Sequence, residues 1–363
     1  MSCNSCSLKE DNLFVQRVSA LQKQLADGPW DAWLIEDPLD LYYLTGMTFS
    51  VGELWIAKEA VLLLVDSRYL DSAKQKSSFP CSLKSWDAST EFLKKWLIKK
   101  VAFDSAKTTV ARSVDLQKKL DFVSWNAVLQ ITQTLREVKG EDEKSRIRQS
   151  AALLWEGYLY IKTVLREGIT EKEVAKLFEI FCLQRGADGL AFEPIIAFGE
   201  NSALPHYRAG GKALQKGDVV LIDIGIVFKR YCSDMTRVVF WGTPDPMFIH
   251  WLDLTISAAN AALALCKPGA CIRSLDKAAR AVFEREGVEP YFLHSLGHGV
   301  GLEVHEAPRI RFDAEESVLK PGMVITIEPG LYLLGKGGVR YEDMVVITDS
   351  GYENLFPLDK AFL

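Results

Sequence analysis

The chain has 363 residues, 48% of them apolar and 25% charged, enough to build ordinary buried cores and too apolar for a disordered chain. A net charge of −5, with no basic block, argues against a nucleic-acid partner, since nothing in the chain is arranged to neutralise phosphates. No apolar run approaches the roughly 20 residues that span a bilayer.

The start, residues 1–10, lacks the apolar core of a signal peptide, and the expectation is a cytoplasmic protein. Seven cysteines, an odd number, fit reduced thiols better than a disulfide framework. Cys3 and Cys6 form a lone C-x-x-C without a second pair, so a frayed terminus is a better reading than a metal site.

Residues 12 to about 135 alternate between helical and strand-like pieces. Helical periodicity at 15–25, 68–76 and 91–98 is interleaved with short apolar runs at 32–35, 60–65 and 101–103 that suit buried strands. This order predicts a small α/β domain over 1–135 with a mixed or parallel sheet, and nothing in it clusters like a catalytic site. The charged, Gly-containing stretch 136–143 reads as a linker, and a second domain, α+β in class, is expected over 144–363.

In that second domain Ile147, Ala151, Leu154, Tyr158, Ile161 and Leu165 recur at helical spacing, and Gly168 ends the helix. Thr170-Glu-Lys-Glu173 is a capping box opening the next helix. Two apolar runs then flank Phe228 and Lys229, each carrying one acid, Asp223 and Asp234. A turn centred between Phe228 and Lys229 places these aspartates directly opposite each other on one face of a hairpin. Helices at 253–265 and 275–286 follow, and then a Gly-rich, strand-rich remainder. The predicted order is helix, helix, hairpin, repeated once.

The last part of the chain holds a second pair of acids, Glu328 and Glu342, in apolar runs around a turn near Gly335. That turn places these two carboxylates opposite each other as well. Glutamates among Val, Ile and Met are seldom buried without a purpose. Of five histidines, His206, His294, His298 and His305 lie in two short stretches, while His250 belongs to neither. Gly297, Gly299 and Gly301 around His298 indicate extended backbone passing close to something, not a helix. Four carboxylates and an imidazole on converging strands form an oxygen-rich donor set that suits Mn²⁺, Fe²⁺, Co²⁺ or Zn²⁺. Two such hairpins point to two ions about 3.5–4 Å apart, an arrangement used for hydrolysis.

Five segments occur in an order that resembles the pita-bread metallopeptidases, the family of aminopeptidase P, prolidase and methionine aminopeptidase. They are Leu204-Pro-His206; Asp223-Ile-Gly with Ser233-Asp234-Met-Thr-Arg237; Gly297-His298-Gly-Val-Gly-Leu-Glu-Val-His305-Glu; Ile327-Glu328-Pro-Gly330; and Arg340-Tyr-Glu342-Asp. Asp31-Ala-Trp-Leu-Ile35 and Asp40-Leu-Tyr-Tyr-Leu-Thr-Gly46 resemble the creatinase/prolidase N-terminal domain.

The resemblance implies a pita-bread catalytic domain and two divalent ions, Mn²⁺ before Co²⁺, Zn²⁺ or Fe²⁺. Asp223 would chelate one ion, Asp234 and Glu342 would bridge both, and His298 with Glu328 would hold the other. Glu328 would also accept a proton. His206 and His305 would be catalytic without binding metal, and His294 and Arg340 would orient ligands and substrate. The implied activity is Xaa-Pro aminopeptidase, with Xaa-Pro dipeptidase as the alternative; methionine aminopeptidase and a metal-free binding relative rank below both. It also implies a proline-containing peptide substrate and a homodimer or larger homo-oligomer.

Overall fold

The structure, a computed structural model, describes the backbone of residues 4–359, 361 and 362, and the side chains of residues 13–359. Cys3 and the side chain of Cys6 therefore lie outside the described residues. The chain divides into two compact units, 1–135 and 136–363.

The first unit is a mixed six-stranded sheet flanked by helices. Its strands are β1 (Ala32–Ile35), β2 (Gly52–Ala57), β3 (Val61–Val65), β4 (Cys81–Leu83), β5 (Lys100–Asp104) and β6 (Ser124–Val128), in the order β4-β3-β2-β1-β5-β6. Its helices are α1 (Asn4–Asp27), α2 (Pro38–Thr45), α3 (Ser67–Lys76), α4 (Trp86–Lys95), α5 (Val110–Lys119) and the short α6 (Gln133–Arg136). Strands β1 and β5 pair in parallel, whereas β1, β2 and β3 form an antiparallel meander. Side chains of Trp55, Leu34, Val101, Phe92 and Leu116 close one core beneath the sheet. The predicted elements are present; β2, β4 and β6 are additional strands that sequence patterning did not single out.

In the second unit, α7 (Glu141–Val164) and α8 (Glu171–Gln184) precede β7 (Gly189–Leu190), β8 (Ile195–Phe198) and the long hairpin β9 (Val219–Phe228) and β10 (Tyr231–Phe240). The pattern then repeats with α9 (Pro246–Leu263) and α10 (Ile272–Arg285), followed by β11 (Gly297–Gly299), β12 (Glu306–Ile310), β13 (Val324–Ile327), β14 (Gly330–Leu333), β15 (Gly337–Arg340), β16 (Asp343–Ile347), β17 (Tyr352–Asn354) and β18 (Ala361–Phe362). This is the α+β arrangement of two helix–helix–hairpin halves. Thr170 caps α8 as expected, its hydroxyl accepting from Glu173 N–H while the Glu173 carboxylate accepts from Thr170 N–H. Ahead of α7, Val138 bridges Met323 and Lys139 N–H donates to Gly322 C=O.

The first hairpin differs from expectation in register. Its turn is Lys229–Arg230, one residue later than predicted, and both residues have positive φ, 48° and 73°. Asp223 therefore faces Thr236, and Asp234 faces Gly225. The shift moves the pairing by two positions, and two is the period of a strand, so both aspartates still project from the same face as diagonal neighbours. The second hairpin keeps its predicted register but is split. Ile327 pairs with Asp343 in one ladder and Gly330 with Arg340 in the other, which leaves Glu328 and Glu342 at facing positions in the break between them.

Candidate metal centre

Strand β10 delivers Asp234, β11 delivers His298, and the ladder break delivers Glu328 and Glu342, all onto one side of β9, where Asp223 stands. Ligand atoms of Asp234, His298 and Glu342 lie within 4.8 Å of one another, and all three residues are buried. His298 Nε2 lies 3.4 Å from Glu328 Oε1 and 3.7 Å from Asp234 Oδ2. Glycine is what lets β11 come this close: a Cβ at Gly297 or Gly299 would sit 2.1 Å from the carbonyl oxygen of Thr326 or Ala307.

The orientation of His298 is set from behind. Its Nδ1–H donates to Gly299 C=O at 3.0 Å, which leaves the Nε2 lone pair facing the carboxylates. Burial, and next His305, push His298 down to about 4, so at neutral pH the ring is uncharged and its approaches to Asp234 and Glu328 are not salt bridges.

The acids respond in the opposite direction. Burial, followed by the neighbouring carboxylates, pushes Asp234 and Glu328 well above the usual range and raises Glu342 to about 8; burial also raises Asp223, against the opposing pull of Arg340. Arg340 is the guanidinium that meets this group. Burial opposes its charge, but Tyr332, Asp223, Glu328 and Glu342 together outweigh burial and hold it protonated. Among these four acids Arg340 is ion-paired with Asp223, and leaving even one buried ion uncompensated costs several kcal/mol.

The cluster fits divalent ions on its own geometry. Among the described residues Asp223 Oδ1 and Asp234 Oδ1 are buried with no hydrogen-bond partner, although such atoms are normally satisfied. With a neutral imidazole nitrogen, these oxygens make a mixed O/N donor set for a transition metal.

Behind the acids runs a directed hydrogen-bond chain. Arg340 donates through Nη2 to Asp223 Oδ2, through Nε to Thr236 Oγ1 at 3.0 Å, and through Nη1 to Tyr332 Oη at 2.7 Å. Tyr332 in turn lies 2.9 Å from His294 Nε2, and His294 Nδ1 lies 2.8 Å from Ser295 C=O. With burial as the main cause, His294 is pushed down to about 3; the neutral ring donates at Nδ1 and accepts the tyrosine hydroxyl at Nε2. Thr236 Oγ1 donates to Glu342 Oε2 at 2.7 Å, which closes the path back to the acids.

The structure therefore brings Asp223, Asp234, His298, Glu328 and Glu342 together and sets Arg340 and His294 behind them. His206 and His305 are exposed side chains at the border of the group. The rings of His305 and His298 meet edge to face with centroids 4.3 Å apart, so His305 stands beside His298 and not across from it. His250 is exposed on α9. Sequence reasoning missed Thr236 and Tyr332. Their signal was alternation: Thr236 lies two residues beyond Asp234 on the same strand face, and Tyr332 faces Gly338, two residues before Arg340.

Comparison with known proteins follows the same division. Residues 145–349 match Metallopeptidase family M24, and residues 17–138 match the Creatinase/Prolidase N-terminal domain. The chain is 34% identical over 352 residues to a Xaa-Pro dipeptidase of Pyrococcus furiosus, covering 96% of this chain and 99% of that protein. A solved Xaa-Pro dipeptidase from Bacillus anthracis superimposes with a TM-score of 0.93 at 29% identity, covering 96% of this chain and 100% of that one. An X-Pro aminopeptidase from Thermotoga maritima gives a TM-score of 0.86 at 34% identity, covering 94% and 99%.

Proposed function

The chain belongs to metallopeptidase family M24, and on that premise we propose that it is a metal-dependent Xaa-Pro dipeptidase acting on free dipeptides that end in proline. The observation that carries this reading is the buried group of Asp234, His298 and Glu342 with two orphaned aspartate oxygens beside it. The dipeptidases among the relatives favour this reading over the Xaa-Pro aminopeptidase first implied by the motifs.

Asp223, Asp234, His298, Glu328 and Glu342 would hold two divalent ions, with Mn²⁺ the first choice. When bound, such ions supply a Lewis acid and a water acidic enough to attack a peptide carbonyl at neutral pH. Glu328 accepts the proton of the attacking water and returns it towards the leaving proline nitrogen. His206 and His305 donate N–H groups where negative charge develops on the carbonyl oxygen. Partial desolvation against the cluster, and next His206, lower the affinity of His305 for a proton although its outer edge is exposed. Arg340, with His294 acting through Tyr332, keeps Asp223 oriented.

We take the assembly to be at least a homodimer, on the family resemblance, and light scattering that returned the monomer mass would overturn this. The five described cysteines are all free thiols, which supports a reducing, cytoplasmic setting. The functional reading is tested by incubating the protein with a Xaa-Pro dipeptide and with Xaa-Pro-Yaa-Zaa. Cleavage of the dipeptide alone is expected. Release of the first residue from the longer peptide at comparable kcat/KM would restore the aminopeptidase reading.

A further inference from the structure

Glu171 is fully buried at the first position of α8, a place where the helix dipole favours a negative charge. Four donors converge on its carboxylate. Oε1 accepts from Phe198 N–H at 2.8 Å and from Asn201 Nδ2 at 2.8 Å. Oε2 accepts from the Tyr207 hydroxyl at 2.8 Å and from Gly210 N–H at 3.0 Å. Asn201 Nδ2 also lies 2.8 Å from Tyr207 Oη, which joins the two halves of the set. The backbone adds two ties, Lys172 N–H to Gly210 C=O at 3.0 Å and Glu171 N–H to Lys212 C=O at 3.2 Å. At Gly210 a Cβ would sit 2.9 Å from Tyr207 Oη and 3.4 Å from Glu171 Oε2, so the segment is drawn in as tightly as a residue without a side chain allows.

These donors bracket His206. Phe198 and Asn201 precede it, and Tyr207 and Gly210 follow it. His206 itself is exposed. It is an electrostatic neighbour of His305, Asp223 and His294, which places it near the acidic cluster although its own segment is a loop.

We propose that Glu171 is a positioning residue: by gathering residues 198–210 onto the start of α8, its carboxylate fixes where His206 stands beside the cluster. The inference rests on the reading of His206 as a donor to the substrate. A glutamine at 171 keeps the size but has one acceptor oxygen, so its amide must face either the Phe198 side or the Gly210 side, where a backbone N–H already points inward. At least one tie is then lost, and a misplaced donor can cost up to about a hundred-fold in rate.

The test is a double-mutant cycle on kcat for a Xaa-Pro dipeptide, using Glu171→Gln, His206→Ala and the combined variant. Bound metal is measured for each, and hydrogen exchange is followed at the amides of Phe198 and Gly210. Glu171→Gln should lower kcat about ten- to a hundred-fold, keep its metal, and speed exchange at one or both amides. In the His206→Ala background the same change should add no further loss. Losses that multiply, or unchanged kcat in Glu171→Gln, would overturn the proposal. Should Glu171→Gln fail to fold, Tyr207→Phe removes a single donor, and its smaller loss of kcat should likewise vanish in the His206→Ala background; persistence there would overturn the proposal. Wild-type protein that cleaved no Xaa-Pro peptide would overturn the functional reading instead, and amide exchange would still decide whether Glu171 holds the segment.

Discussion

Arg340 donates to Asp223 Oδ2, while Oδ1 of the same carboxylate is buried with no partner among the described residues. One half of the aspartate is thus held by protein and the other is left for something else. The same guanidinium reaches Thr236 and Tyr332, so its planar fork fixes three groups at once.

Arg340→Lys keeps the charge and loses the fork. Removing such an outer partner of a metal ligand typically costs about 10–100-fold in metal affinity or activity. We expect a loss in that range, read by metal titration and by turnover at saturating metal. Unchanged affinity and rate would show that charge alone suffices at this position.

His298→Ala and His305→Ala should separate the two touching imidazoles. His298 points its free nitrogen at Glu328 and Asp234, so its removal should lower bound metal and turnover together. His305→Ala should retain metal and lose about 10²–10³ in kcat, the usual effect of deleting one donor to a developing oxyanion. Equal metal loss in both variants would contradict the assignment.

The metal-free protein should become less stable as pH rises above neutrality. Glu342 holds its proton up to about 8 in the folded protein, whereas an unfolded glutamate has released it far below that. Between those values the folded state binds more protons, so stability falls with increasing pH. The buried His294 and His298 act oppositely, since they are neutral when folded down to about 3 and about 4, but their contribution is complete once pH exceeds the unfolded histidine value. Of these two effects, the carboxylate one is what still varies above about pH 7. Thermal melts of chelated protein should therefore show Tm falling from about pH 7 to about pH 8.5, and bound metal should remove most of that slope.

Much of this site could be read from the sequence because strand alternation survives errors in register. The Lys229–Arg230 turn carries neither Asn nor Gly, the usual marks of a turn with two positive φ angles, so its centre was set one residue early. That error exchanged the partners of Asp223 and Asp234 without moving either to the other face. Gly335 marks the second turn openly, with φ of 75°, and there the register was legible. The start of α9 was set late because its signal is a cap, Asp245 accepting from Met247 N–H ahead of Pro246, and not apolar periodicity. What could not be read was long-range. A register shift between His298 and Gly299, with the turn that follows, brings His305 onto the His298 ring. No local pattern links Glu171 to Tyr207.

Asp234→Ala should fold and fail to turn over. It removes the carboxylate that lies within 4.8 Å of ligand atoms of both His298 and Glu342, so metal occupancy at ordinary ion concentrations should fall with activity. Near-normal turnover in this variant would mean that Asp234 is not a ligand.

The most direct test of the account follows bound metal and Xaa-Pro dipeptide turnover in one sample as a chelator strips the protein. Two divalent ions per chain are expected at full activity, with turnover that falls as they are removed and recovers when Mn²⁺ is restored. Full turnover by metal-free protein would contradict this.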